Sequence, residues 1–166
     1  ILRPSIVFGP DDNFFNRFAA LAKIAPALPL IGGGTLFQPV YVGDVADAIM
    51  TALQDPAAAG TTFELGGPRA FTFRELLNYI LEQIEVERPL VPLPFGLAKF
   101  IAFFVQWLPN PPLTVDQVRL LAVDKVVSPG APGLTALGVT PTPVQAVVPK
   151  YLRRHHRLGE FSRHAG

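Results

Sequence analysis

The order of apolar and polar residues divides the chain into short extended pieces and amphipathic helices. Residues 1–10, ILRPSIVFGP, form a β-branched apolar run stopped by Gly9-Pro10, which predicts a buried strand ending in a turn. In DDNFFNRFAALAKIA, Asp11 or Asp12 is placed to cap a helix. Its apolar face is Phe14, Phe18, Leu21 and Ala25, with Asn13, Asn16 and Lys23 outward. LPLIGGGTLFQPVYV reads as a turn between extended pieces. GDVADAIMTALQ predicts an amphipathic helix, with Asp44, Asp47, Thr51 and Gln54 on its solvated face and Val45, Ile49, Ala52 and Leu53 opposite.

GTTFELGG is a short strand closed by a glycine turn. The next helix carries the fullest start signal in the chain. Thr72 and Glu75 fit a capping box, Phe71 can staple to Leu76, and Leu76, Leu77, Ile80, Leu81 and Ile84 make one buried stripe. RPLVPLP is extended and edge-like, because its prolines cannot donate to a ladder. FGLAKFIAFFVQWL is apolar almost all round, with a thin polar line at Lys99 and Gln106. LTVDQVRLLAVD repeats the capping logic with Thr114 and Gln117, and Leu113 faces Val118. SPGAPGLTALGVTPT reads as irregular. The last helix is expected from Thr142, with Pro143 in its first position and Gln145 in its third. Pro149 inside it predicts a kink or an interruption, at roughly 3 kcal/mol in an ideal helix.

Strands mixed with helices give an α/β class, yet only about three strands are convincing, against the five or six of an ordinary sheet. That shortage, with the absence of an initiating Met, predicts that residues 1–166 are the back half of something longer. Composition adds that much of the chain is covered: 49% of residues are hydrophobic and only 16% charged. A net charge of +1 gives no basic footprint for nucleic acid. The lack of cysteine excludes disulfides and thiolate metal sites. No apolar run reaches the roughly 18 residues needed to span a bilayer.

Three pieces in order carry a resemblance: LRPSIVFGP, then GGGTLFQPVYVGDVADAI, then GTTFELGGP before a capped helix. Together they resemble the C-terminal half of extended and atypical short-chain dehydrogenases/reductases, the NAD-dependent epimerase/dehydratase family. FGPDDNFFNRFA, QPVYVGDVADAI and PGLTALGVTPTPVQAVVPKYLRRHHR are more narrowly similar to the Rossmann-type accessory subunits of respiratory complex I and their bacterial relatives. The resemblance implies an α/β fold: the C-terminal part of a Rossmann-like NAD(P)-binding fold with a mostly helical substrate-side lobe. The dinucleotide-binding half would lie upstream, as a partner from the same chain. The whole protein would then hold NAD or NADP. It would sit in the cytoplasm peripheral to the inner membrane of a bacterium, or in the mitochondrial matrix of a eukaryote.

The family's glycine-rich loop is not in this sequence. Gly32-Gly33-Gly34-Thr35 does not match G-x-G-x-x-G, and a plain turn is its expected role. Tyr-x-x-x-Lys is missing as well, since four residues after Tyr41, Tyr79 and Tyr151 stand Val45, Gln83 and His155. The chain by itself therefore has no catalytic residue to nominate. By family position, Pro4, Ser5, Ile6 and Val7 are implied to lie against the nicotinamide ring. Phe8, Asn16, Arg17, Phe37, Gln38 and Tyr41 are implied on the substrate side. Nucleotide-sugar relatives carry an arginine where this chain has Phe37-Gln38, and a guanidinium suits two phosphate oxygens. The substitution argues against a nucleotide-sugar substrate. Asp44 and Asp47 read as a solvated helix face rather than a catalytic pair.

His155, His156 and His164 do not suggest a metal site. Adjacent helical residues point about 100° apart, and no acidic or thiol ligand is close in sequence. Lys150, Arg153, Arg154 and Arg157 make a basic surface, for which an anionic membrane, a respiratory membrane complex and plain solvent stay open. The apolar helix from Phe95 to Leu108 is either the core of a small lobe or a face for a membrane, a partner or a second copy of the chain. Three functions remain in view: a cofactor-closing portion of a dehydrogenase-like protein, a non-catalytic assembly protein, and a full-length oxidoreductase or epimerase on another substrate.

Overall fold

The computed structural model describes residues 1–105, 107 and 115–155, the side chains of Val105 and Gln117 excepted. In chain order the elements are β1 (Leu2–Pro4), β2 (Val7–Phe8), α1 (Phe15–Ile24), β3 (Leu28–Leu30), β4 (Leu36–Phe37), β5 (Val40–Tyr41) and α2 (Val42–Gln54). There follow β6 (Phe63–Leu65), β7 (Phe71–Thr72), α3 (Phe73–Gln83), β8 (Leu90–Pro92), α4 (Phe95–Val105), α5 (Val115–Leu120) and α6 (Val144–Leu152). Strands pair in twos: β1 with β6, β2 with β5 and β3 with β8 in parallel, and β4 with β7 antiparallel. Parallel strands require a crossover, and α2, α1 and α3 lie in the connections of the three parallel pairs. Most of these strands escape a reading of the sequence because two or three residues are too few to show a period.

The opening run is not one buried strand. It bends at Ser5-Ile6 and passes from β6 to β5 as partner, leaving Arg3 and Pro4 exposed and Val7 36% exposed. Phe8 is the one apolar side chain of the run that is fully buried, while Leu2 and Ile6 pack half-buried against the two cores. Pro4 lacks an N–H, and each of these strands is paired along one edge only.

Asp12 starts α1 as expected, its Oδ1 accepting the Phe15 N–H at 2.5 Å. The fully buried stripe is Phe15, Ala19 and Ala22, one position round from the expected face; Phe14, Phe18 and Leu21 pack half-buried beside it. Both stripes are used because α1 lies between α3 and α6. α3 matches its sequence signals closely. Thr72 Oγ1 accepts the Glu75 N–H at 3.1 Å and Glu75 Oε2 accepts the Thr72 N–H at 2.6 Å. That backbone donor holds the Glu75 carboxyl below its usual range. Leu76, Leu77, Ile80, Leu81 and Ile84 are all buried.

α2 is turned only in part from its expected orientation: Val45 and Ala52 pack half-buried against the second core as expected. Asp44 and Ala48 are its buried residues, whereas Ile49, Met50 and Leu53 are 43%, 55% and 78% exposed. The cause is a tertiary tie: Asp44 accepts the Thr142 N–H at 2.6 Å and the Thr142 hydroxyl at 2.8 Å. The stretch expected to be irregular contains a 3₁₀ turn, Leu134–Leu137, whose two leucines join a small core with Phe63 and Leu65. α6 begins at Val144 rather than Thr142 and runs through Pro149 to Leu152, tightening into a 3₁₀ turn at Arg153–His155. Pro149 removes one donor near the end of a helix whose Val144, Val148, Tyr151 and Leu152 are buried, and packing outweighs that loss.

The main core gathers Phe8, Phe15, Phe37 and Phe73 with the α3 stripe and α6. α4 contributes Ala98 and Ala102, fully buried, and the half-buried Phe95 to a separate small cluster with Ile31 and Val118. The Gln106, Leu113 and Thr114 expectations, the Gln117 side chain and the tail from His156 through Arg157 to His164 lie outside the described residues.

Candidate functional site

The bend between β1 and β2 lies just past the carboxyl ends of the parallel strands β1 and β6. Ser5 extends the ladder by donating its N–H to Leu65 O at 2.9 Å, and Ile6 O accepts the Val40 N–H at 2.9 Å. The Ser5 hydroxyl donates to Lys125 O at 2.5 Å. Pro4 and Val7 remain exposed, while Ile6 packs against the main core. After β6 the chain turns through Gly66-Gly67. A Cβ at Gly67 would lie 2.1 Å from Pro39 O, so only glycine permits this approach of two backbones.

Gln38 is the clamp of this corner. Its Nε2 donates to Gly67 O at 2.7 Å and its Oε1 accepts the Val127 N–H at 3.0 Å. Residues 124–128 are fastened across the same corner. Lys125 N–H donates to Leu36 O at 2.7 Å, and Lys125 O also accepts the Gln38 N–H at 2.9 Å. The Ser128 N–H donates to Glu64 Oε2 at 2.6 Å and holds that carboxyl below its usual range.

The substrate-side residues implied by resemblance do not converge on one surface. Phe8 and Phe37 are 0% and 2% exposed and serve the core, so neither presents a face to a ligand here. This corrects their placement on the substrate side: each lies in a strand whose inward position is filled by packed aromatic rings. Tyr41 is half-buried with its ring 5.7 Å from that of Phe8. Gln38 spends both ends of its amide on backbone. Arg17 is exposed on α1.

Asn16 belongs to a second cluster around the Gly9–Asp12 loop. Its Nδ2 donates to Pro10 O at 3.1 Å and Asp12 O at 3.0 Å, and its Oδ1 accepts from Arg154 at 2.8 Å. Tyr151 donates its hydroxyl to Asp12 Oδ2 at 2.6 Å. Burial and the Asp12 carboxylate push Tyr151 well above the usual phenol range. Burial, with Glu82, pushes Tyr79 up to about 12; among the described residues its hydroxyl has no partner. Burial and the charges of Arg154 and Lys23 push His155 down. Neither tyrosine is poised to move a proton near neutrality. The roles of Tyr151, Arg154 and Lys125 could not be read locally, because their partners stand far away in sequence. The turn at Gly32-Gly33-Gly34 is a plain turn, closed by the Thr35 N–H on Gly32 O at 2.9 Å with Gly32 at φ +63°.

The 3-beta hydroxysteroid dehydrogenase/isomerase family matches residues 1–94. The chain is 38% identical to the mitochondrial NADH dehydrogenase [ubiquinone] 1 alpha subcomplex subunit 9 of Arabidopsis thaliana, over 96% of this chain and 42% of that protein. The corresponding subunit of Mus musculus is 37% identical over 93% of this chain and 42% of its own length. The chain thus spans about two fifths of these curated relatives. Among solved structures it is similar to a dTDP-glucose 4,6-dehydratase of Streptomyces venezuelae with NAD bound. The TM-score is 0.64 at 17% identity, covering 96% of this chain and 44% of that one. That likeness shows the fold: an α/β chain with the architecture of part of a Rossmann-type protein.

Proposed function

Because the chain belongs to the 3-beta hydroxysteroid dehydrogenase/isomerase family, we propose that it is the C-terminal portion of an NAD(P)-binding, short-chain-dehydrogenase-like protein related to the complex I subunits. In that role it closes the nicotinamide and substrate side of the site and is not catalytic alone. The observation that carries this reading is the bend at Ser5-Ile6, set just outside the carboxyl ends of parallel strands, where open α/β folds bind ligands. The residues fit a nicotinamide ring: Pro4 has no N–H, and exposed Pro4 and Val7 offer an apolar wall while the Ser5 hydroxyl is turned to Lys125. NAD or NADP would supply the redox chemistry; this chain's residues would wall and orient the ring. The exposed Ile49, Met50 and Leu53 of α2 support the reading, since they give the dinucleotide-binding half an apolar face to cover.

The test is Pro4→Trp in the full-length protein. An indole on the wall is expected to weaken NAD(P)H binding at least about tenfold, roughly 1.4 kcal/mol, in a fluorescence titration with an unchanged circular dichroism spectrum. Unaltered affinity removes Pro4 from the wall and the reading with it.

A second reading, a non-catalytic interaction protein of a membrane respiratory complex, is favoured by α4. Leu97, Phe100, Phe103 and Phe104 are 50%, 62%, 55% and 61% exposed, and Trp107 is 82% exposed. The segment holds Lys99 and no carboxylate, and no helix among the described residues is long and apolar enough to cross a membrane. An apolar, cationic helix of this length suits the plane of an anionic bilayer surface. The chain is expected to float with phosphatidylglycerol vesicles, and Phe100→Glu with Phe104→Glu to abolish flotation. Flotation that survives both substitutions rules α4 out as the lipid contact.

A further inference from the structure

We infer that the end of α6 sets the position of the Gly9–Asp12 loop, with Arg154 and the Tyr151 hydroxyl as its positioning groups, and that loosening the loop weakens binding at the ligand side of the sheet. The strands decide where this loop lies. β2 runs parallel to β5 and ends at Phe8, so Gly9–Asp12 leaves the sheet at the carboxyl end of a parallel pair. Open α/β folds take their ligands outside such ends. On one side the loop rests on the start of α2: Gly9 is buried, and a Cβ there would lie 2.7 Å from Val42 Cγ1.

The loop does little to hold itself. The Asp12 N–H donates to Gly9 O at 3.0 Å, and Pro10 has no N–H to offer. Its remaining ties come from α1 and from the far end of the chain. Arg154 Nη2 donates to Pro10 O at 2.5 Å and to Asn16 Oδ1 at 2.8 Å. An amide whose oxygen is held by a guanidinium turns its NH2 the other way, and Asn16 Nδ2 accordingly donates to Pro10 O and Asp12 O. Arg154 therefore holds the loop twice, once directly and once by orienting Asn16. Tyr151 holds Asp12 by Oδ2 at 2.6 Å, while Asp12 Oδ1 accepts the first amide of α1. The platform beneath these groups does not depend on them. Val144, Val148 and Leu152 anchor α6 in the core, and Arg154 is exposed in the 3₁₀ turn that follows. Removing its guanidinium takes away the tie and leaves the packing in place.

That the molecule bound there is NAD(P)H rests on the proposed cofactor-side reading; the tie between α6 and the loop stands on this chain alone. The experiment compares Arg154→Ala, Tyr151→Phe and Arg153→Ala in the full-length protein by hydrogen exchange and by fluorescence titration with NADH and NADPH. Tyr151→Phe keeps the buried ring and removes only the hydroxyl. Arg153→Ala takes the same charge from the same turn without removing either Arg154 bond. In Arg154→Ala and Tyr151→Phe the amides of Asp12 and Phe15 are expected to exchange at least about tenfold faster, while Ile80 and Leu81 in α3 keep their protection. Both variants should weaken NAD(P)H binding about fivefold, and Arg153→Ala should change neither quantity. Unchanged exchange in the loop overturns the inference, as does an equal loss of protection in α3 or an equal effect of Arg153→Ala. If the unaltered protein binds NAD(P)H and the two variants bind it equally well, the inference falls and the cofactor reading stands. If the unaltered protein binds neither nucleotide, the cofactor reading falls and loop exchange alone decides the inference.

Discussion

Phe73→Ala is expected to remove about 4 kcal/mol of stability, the usual cost of deleting a buried phenyl ring. Phe73 is 1% exposed and is the meeting point of an aromatic cluster, with ring centroids 5.5 Å from Phe18, 6.0 Å from Phe37 and 6.1 Å from Phe14. Those rings come from α1, β4 and the residue before α1, so the cavity would open between elements that cannot all move to fill it. Domains of this size hold only about 5–15 kcal/mol in total, so the variant should sit near its unfolding threshold. The midpoint of thermal unfolding should fall by about 8–16 °C. Phe100→Ala is the matched control. That ring is 62% exposed on α4, and its removal should change stability by no more than about 0.5 kcal/mol. A loss at Phe100 comparable to that at Phe73 would mean that α4 is covered in solution.

Asp44→Ala is expected to cost about 3 kcal/mol, for a different reason. Asp44 is 5% exposed and is the only charged residue in the core among the described residues. Its two oxygens satisfy both donors of Thr142, and charge-assisted bonds of this kind contribute about 1.5–3 kcal/mol each. Alanine would leave a part-buried N–H and hydroxyl without acceptors. The Asp44→Asn variant keeps one acceptor oxygen, so about half of the loss should return. Hydrogen exchange supplies the local readout: the Thr142 amide should lose protection in Asp44→Ala before the α3 amides do. Equal loss along both segments would show that Asp44 acts through the whole fold rather than as the tie between α2 and the start of α6.

The same two residues mark where sequence reading succeeded and where it stopped. Around Phe73 the local signals agree with one another. A capping box, a staple and an uninterrupted apolar stripe all specify α3, and each depends on contacts within one or two turns of helix. Asp44 shows the opposite. Its helix was legible and Val45 and Ala52 pack as expected, but the burial of Asp44 goes with Thr142, 98 residues further on. Helical periodicity separates two faces; it cannot say which one meets the rest of the protein when a polar residue has found a buried partner.

The candidate site divides in the same way. LRPSIVFGP and QPVYVGDVADAI were enough to place the family and the α/β class, because such signatures are continuous in sequence. The sequence also determined by itself that no Tyr-x-x-x-Lys and no glycine-rich dinucleotide loop are present in these residues. Only the tertiary structure decided that Phe8 and Phe37 are core residues, that Gln38 is a clamp, and that Lys125 stands against Ser5. Each of those facts is a pairing between segments far apart along the chain. The free energy of such pairings comes from burial and hydrogen bonds that exist only once the strands have come together, so no local pattern of residues records them.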